Sequence, residues 1–390
     1  MTTPLRNTAF AMCVALVATL LGCSPQWQQP EAPSLQYQHH WQRLKNQFIS
    51  PQGRVIDLGS ERGITTSEGQ AYAMFMALVA NDPATFAKLL RWTQEQLLAD
   101  HTFGQSPAWL WGRNDQGQWQ VLDNNAAADA DIWMAYALLT AGKRWQQPQY
   151  SDYGRALANQ VLKHQTRKTS EGLVLLPGPQ GFVREHGFTI NPSYFSLPLF
   201  IGLAQLTQDK RWLQVHHTSL ILLQRMQRLG GIPDWVDVNT RLQITSQQTQ
   251  ADAANKLHGS YDAIRSYLWL RMEADRSGQS LRQLSLRFNA LNNRLQQLPA
   301  PQQLLLSKGA EPTFEGQAPV GFYPAYAHYL GTSASQSLWQ QVAGWPEAQY
   351  ADRYYDTMLL LFGVGYNQCY RFTQQGALQI NAASNCQASN

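Results

Sequence analysis

The stretch ITTSEGQAYAMFMALVA, residues 64–80, sets a glutamate in a threonine and serine run directly ahead of an apolar helix. Ser/Thr-x-x-Glu/Gln before an apolar run is a capping box, in which a hydroxyl and a later carboxylate or amide satisfy the free backbone donors of the first turn. Two registers fit. Thr65 with Glu68 spends the glutamate on capping, whereas Ser67 with Gln70 caps the helix and leaves the Glu68 side chain free. Under the second register Glu68 is a candidate acid.

Outward from this helix the same period recurs with little strand signal. About a dozen segments carry it, near 37–48, 66–80, 83–99, 127–142, 151–166, 193–207, 210–229, 259–272, 278–297, 319–330, 334–345 and 350–365. Between them lie long loops rich in Gly, Pro, Trp and Asn, such as SPAWLWGRNDQGQWQVLDNN and VLLPGPQGFVREHGFTINPSY. Long loops on a regular scaffold usually carry function. About twelve helices is the number a barrel of six helix pairs requires; a solenoid of helical pairs would show a sequence repeat, and no clear one is present.

The chain has 390 residues and 44% hydrophobic content, enough for a substantial core in one large domain or two. Charged residues make up 14%, and the net charge of +4 is scattered without a Lys/Arg run, which argues against nucleic acid as a partner. The 13 Trp, 16 Tyr and 14 Phe are many for a core of this size, and they often stand beside Asn, Gln, Gly and Asp. That mixture suits neutral, hydroxyl-rich rings, because aromatic faces cover apolar sugar faces while amides and carboxylates bind hydroxyls.

The first residues read as an export signal. Arg6 gives a positive n-region, AFAMCVALVATLLG an apolar segment too short to span a bilayer, and LLGC at 20–23 resembles a lipoprotein cleavage box, with plain cleavage nearby as the alternative. The expected organisation is a signal over 1–22, a polar tether over 23–35, a catalytic domain over 36–372 and a tail over 373–390. Cys23 is the expected lipidated residue. Cys369 and Cys386 then remain in an oxidising compartment, to pair with each other or, for Cys386, with an unlipidated Cys23. No Cys/His cluster has metal-ligand spacing, so no structural zinc is expected.

Two further stretches carry carboxylates. In NNAAADADIWMAYALLTAGKRW, 124–145, Asn124 or Asn125 is a natural cap, and Asp129 and Asp131 gain from the helix dipole. Asp129 shares its face with Trp133 and Tyr136, an arrangement suited to clamping a sugar. In LHGSYDAIRSYLWLRM, 257–272, Ser260 is placed to cap, and Arg265 sits within pairing distance of Asp262. Dipole and arginine together favour an ionised Asp262, while burial beside Tyr72, Phe75 and loop tryptophans, with Asp129 nearby, favours a protonated Glu68. One protonated and one ionised carboxyl is the division of labour of glycoside hydrolysis.

At this point the chain resembles glycoside hydrolase family eight, and within it the periplasmic endoglucanases encoded with bacterial cellulose synthase. The resemblance runs from about Trp41 to Gly365 and is carried by GRVID, TTSEGQAYAMFMALVANDPATF, PAWLWG, LDNNAAADADIWMAYALLTAGKRW, LLPGPQGF, NPSY, PDWV, SYDAIRSYLW and YYDTMLLLFGVG. Ala128 departs from the pattern, since Ser or Thr is usual before the first aspartate. The resemblance implies an all-α (α/α)6 barrel with long cleft-forming loops and an inverting mechanism. It implies Glu68 as general acid, Asp262 as general base, Asp129 as a sugar binder at the cleavage point, Tyr261 holding the water and Arg265 holding Asp262. Inversion sets acid and base roughly 6.5–9.5 Å apart.

Trp109, Trp111 and Tyr194 are then candidate stacking platforms, with Tyr354 and Tyr355 on the opposite wall; packing into the core is the alternative for each. Asn191 is placed either to cap the helix after NPSY or to touch sugar. The reading is a periplasmic, outer-membrane-anchored or otherwise secreted, monomeric endo-β-1,4-glucanase acting without cofactor or metal on cellulose beside a cellulose synthase and export complex. The alternatives are the same fold acting on xylan, chitosan or mixed-linkage β-glucan, and a noncatalytic glucan-binding component. A pure binder gains nothing from a buried, protonated acid.

Overall fold

The computed structural model describes residues 35–98, 105–245, 257–307, 309–331, 334–383 and 386–387. The segment expected as an export signal, with Cys13, and almost all of the expected tether, with Cys23, lie outside them. The described residues form twelve α-helices: α1 Tyr37–Arg43, α2 Ser67–Val79, α3 Pro83–Leu97, α4 Ala128–Arg144, α5 Pro148–His164, α6 Leu197–Thr207, α7 Arg211–Arg225, α8 Ala263–Ser277, α9 Asn289–Arg294, α10 Phe322–Leu330, α11 Gln336–Gly344 and α12 Tyr354–Gly365.

The even-numbered helices close a ring, with α2 packed on α4, α4 on α6, α6 on α8, α8 on α10, α10 on α12 and α12 back on α2. Outside it, α3 covers α2, α5 covers α4, α7 covers α6, α11 covers α10 and α1 covers α12. This is an (α/α)6 barrel, and the division into layers is written in the helices. A helix that is apolar all round belongs inside, and one with a single apolar stripe belongs at the surface. Every residue of α2 from Gly69 to Val79 is buried, whereas α3 buries a stripe of Phe86, Leu89, Leu90, Trp92, Thr93 and Leu97. Inside the ring, Trp133 of α4 lies 4.8 Å from Phe75 of α2, 5.0 Å from Trp269 of α8 and 5.0 Å from Phe362 of α12, ring centre to ring centre. Large aromatic rings in edge-on and tilted contact thus fill the middle of the barrel.

Two expectations are corrected. The segment 278–297 is α-helical only at Asn289–Arg294. Gly278 ends α8 in the left-handed region and Ser285 also has a positive φ of 56°, which a continuous right-handed helix cannot contain. Strands are also more numerous than the sequence suggested, with thirteen short ones among the described residues. Each pairing is antiparallel and the longest strand has five residues. Such short strands offer too few alternations to be read.

The first part of the segment expected as a tail joins the fold. Leu378–Ile380 pairs with Tyr370–Phe372, and the Tyr136 hydroxyl donates to Gly376 O at 2.7 Å. Of the two cysteine pairings left open, the disulfide Cys369–Cys386 forms.

Candidate active site

The N-terminal ends of α2, α4 and α8 converge, and each brings a carboxyl. At α2 the cap is Thr66, whose side chain accepts from Gly69 N at 3.1 Å. This corrects both registers read from sequence, yet it frees Glu68 as the second one did. Ser67 donates its hydroxyl to Glu68 Oε2 at 3.3 Å, and the buried Gln70 accepts from Val55 N at 2.6 Å while its amide donates to Gly53 O, Leu89 O and Thr93.

At α4, Asn124 and Asn125 do not cap. The preceding residue is Ala127, without a side-chain cap, and Ala128 N donates instead to Pro177 O at 2.8 Å. At α8 the flanking residue is Asp262 itself, and Ser260 sends its hydroxyl to Gln302 O at 3.0 Å rather than to the helix.

Arg265 gathers these ends. Its Nη1 donates to Asp129 Oδ2 at 3.0 Å and to the Tyr72 hydroxyl at 2.7 Å, and its Nη2 donates to Asp262 Oδ1 and to Ser193 Oγ, each at 2.7 Å. Tyr72 in turn donates to Asp129 Oδ2 at 2.7 Å, and Ala130 N donates to Asp129 Oδ1 at 2.8 Å. Asp129 is fully buried, and its charge is balanced by this arginine, as a buried carboxylate requires.

The electrostatics separate the carboxyls. Loss of water around its carboxyl, reinforced by the negative Asp129, pushes Glu68 up to about 8, against weaker pulls from Arg265 and Ser67. Burial also raises Asp129, with Arg265 and Tyr72 opposing. Asp131, on the other face of α4, is pushed up to about 7 by burial and accepts from Gln165 Nε2 at 2.6 Å. It takes no part in the Arg265 cluster.

The aromatic candidates divide. Trp109 is exposed and its indole N–H donates to Glu68 Oε1 at 3.2 Å. Strand pairing of Thr66 with Leu110 puts it there. Trp111 is buried, its ring stacked on Trp119 at 4.9 Å and against the Arg54 guanidinium at 4.4 Å, so it holds the loop in the way the packing alternative described. Trp119, which the sequence did not single out, carries the exposed ring of that stack.

Tyr194 is buried, with Arg265 5.8 Å over its ring. Tyr261 is half exposed, packs edge-on against Phe322 and accepts through its backbone carbonyl from the Tyr355 hydroxyl at 2.6 Å. Tyr354 is buried against Phe48. Asn191 caps the short 3-10 turn Pro192–Tyr194, accepting from Ser193 N at 3.1 Å.

Sequence reasoning also passed over Ser193, which holds Arg265, and Asp234, whose Oδ1 accepts from the backbone N–H of Ser260, Asp262 and Ala263 at 2.8, 3.1 and 2.7 Å. Both stand in motifs already noted, NPSY and PDWV, but nothing local marks them as partners of residues dozens of positions away.

The family model "Glycosyl hydrolases family 8" matches residues 13–369. An endoglucanase of Salmonella typhi is 38% identical over 353 residues, spanning 90% of this chain and 92% of that protein. The endo-1,4-D-glucanase structure from Vibrio fischeri ES114 superposes with a TM-score of 0.77 at 34% identity, covering 87% of this chain and 98% of that one. The endo-beta-1,4-glucanase CMCax structure from Acetobacter xylinum gives a TM-score of 0.67 at 28% identity, covering 85% and 97%.

Proposed function

Since the chain belongs to glycosyl hydrolase family 8, and is by that membership and its endoglucanase relatives a glycoside hydrolase of endoglucanase type, we propose that it cuts β-1,4-glucan chains internally with inversion, using Glu68 and Asp262. The observation that carries this is that the starts of α2 and α8 present two carboxyls with different partners, Glu68 under the Trp109 indole and Asp262 on Arg265, with burial pushing Glu68 up to about 8. An inverting hydrolysis needs that pair.

Glu68 gives its proton to the glycosidic oxygen as the bond from the anomeric carbon to that oxygen breaks. Asp262 takes a proton from a water whose oxygen bonds to the anomeric carbon from the opposite face. Solvent then returns a proton to Glu68 and removes one from Asp262, closing the cycle. Asp129 is fully buried with its oxygens taken by Arg265, Tyr72 and Ala130 N, so in place of the expected direct contact with sugar it holds Arg265 and Tyr72 at the cleavage point, while Tyr261 steadies the water and Arg265 fixes Asp262. Trp109 and Tyr355 line the sugar path, with Tyr194 beneath Arg265. Proton transfer by two carboxyls and water is the whole of the bond chemistry.

The LLGC box and apolar leader support export to the periplasm, with Cys23 anchoring the protein as a monomer to the outer membrane through the polar tether. The resemblance to endoglucanases encoded with cellulose synthase supports a place beside that machine, acting on the emerging glucan.

The test is reducing-end release from carboxymethylcellulose, with the product anomer followed by NMR on cello-oligosaccharides, for wild type, Glu68→Gln and Asp262→Asn. Internal cutting with inversion, lost by about 10³-fold or more in both folded variants, is expected. Retention of configuration, or variants as active as wild type, would overturn the assignment.

A further inference from the structure

A residue that flanks a helix start usually folds its own side chain back onto the first turn, and aspartate is among the best at this. Asp262 occupies that position at α8 and makes no such bond. Its carboxyl points instead to Arg265. The backbone donors around it are taken from another loop, where Asp234 Oδ1 accepts from Ser260 N, Asp262 N and Ala263 N. The next two, Ile264 N and Arg265 N, end on Ser260 O and Asp262 O at 3.0 and 3.3 Å. No free donor is left in the first turn to draw the Asp262 carboxyl back.

Asp234 is itself well held. Its backbone N–H donates to His258 O at 2.7 Å, which ties the PDWV segment to strand Leu257–Gly259. A Cβ on Gly259 would stand 2.1 Å from Ile232 O, so only glycine lets these two segments lie so close. Burial raises the Asp234 carboxyl, and its three backbone bonds oppose that rise.

We propose that Asp234 is the positioning residue for the base: it caps α8 from another loop so that Asp262, relieved of capping, holds its carboxylate toward the reacting water. This rests on Asp262 as the base, and Asp234 acts through Asp262 without touching substrate. The arrangement mirrors α2, where Thr66 caps and Glu68 is free. At each of these two helix starts the residue doing the chemistry and the residue doing the capping are different.

The experiment compares kcat and KM on a cello-oligosaccharide for wild type, Asp234→Asn, Asp234→Ala and Asp262→Asn, with thermal melts of each. Asparagine keeps an acceptor oxygen at the same place, so D234N is expected within a few-fold of wild type. D234A leaves three backbone donors open, among them Ala263 N, which the Asp262 carboxylate can take as Asp129 takes Ala130 N, and kcat is expected to fall about 10²-fold with KM little changed. If D234A does not fold, Asp234→Ser, too short to reach all three donors, replaces it and is expected to show the same loss of kcat. A D234A, or that substitute, as fast as wild type, or a D234N as slow as D234A, overturns the proposal while leaving the base assignment standing. An active D262N overturns the base assignment itself.

Discussion

Arg265 Nη2 stands 2.7 Å from Asp262 Oδ1, three residues back on the chain, while the other nitrogen of the same guanidinium is 3.0 Å from Asp129 Oδ2. One planar cation thus holds two carboxylates apart in a fixed geometry. A lysine ammonium is a single point and cannot serve both.

Arg265→Lys is therefore expected to lower kcat by about 10²-fold or more, because the base is no longer aimed. Arg265→Ala should add a loss of about 3–5 kcal/mol in folding stability by leaving Asp129 buried without its partner. Steady-state kinetics and urea unfolding check the two effects, and a lysine variant of wild-type activity would remove Arg265 from the mechanism.

Activity should fall as pH rises through about 8, where Glu68 loses the proton it must donate. Asp129 is the second largest cause of that high value, so Asp129→Asn should move the alkaline limb to lower pH. The pH profile of kcat on cello-oligosaccharide reads this directly. An alkaline limb that stays put in D129N would show that the two carboxyls do not interact.

The same carboxyl sets a stability prediction. Its folded value lies above its unfolded value, so the native state binds the extra proton and stability declines as pH rises from about 4.5 toward 8. Glu68→Gln removes this penalty. At pH 7 the inactive variant should be more stable than wild type by about 1–2 kcal/mol, less than the full shift because the residue keeps some contact with water, and the difference should vanish near pH 4. Melting curves at the two pH values check it.

The two neighbouring tryptophans should separate. Trp109→Phe loses one hydrogen bond to Glu68 and is expected to cost about 10-fold in kcat with stability unchanged. Trp111→Ala empties a packed site between Trp119, Trp92 and Arg54 and is expected to cost about 3 kcal/mol or more in stability. Chemical denaturation and kcat measured on both variants would show the opposite pattern if Trp111 were the sugar platform.

Removal of the Cys369–Cys386 bridge should cost about 3 kcal/mol, the loop entropy of a 17-residue separation, with kcat unchanged in the folded enzyme. Paired serine variants in guanidinium unfolding give the number.

What the sequence by itself determined is the set of parts. Helical periodicity located eleven of the twelve helices nearly in full, since burial on one face or all faces is a local pattern of apolar residues. As candidates, Glu68, Asp129, Asp262 and Arg265 stood out because each sits in a helix start where a carboxyl or its cation has a recognisable place. What only tertiary structure decided is who satisfies whom. Thr66, not Ser67, caps α2, and the loop residue Asp234, not Ser260, caps α8. Trp111 is packed away while its neighbour Trp119 is exposed, and Arg265 reaches Asp129, 136 positions earlier, as readily as Asp262. Backbone donors and buried charges accept any partner of the right chemistry that the fold brings within about 3 Å, and spacing along the chain does not encode that closeness.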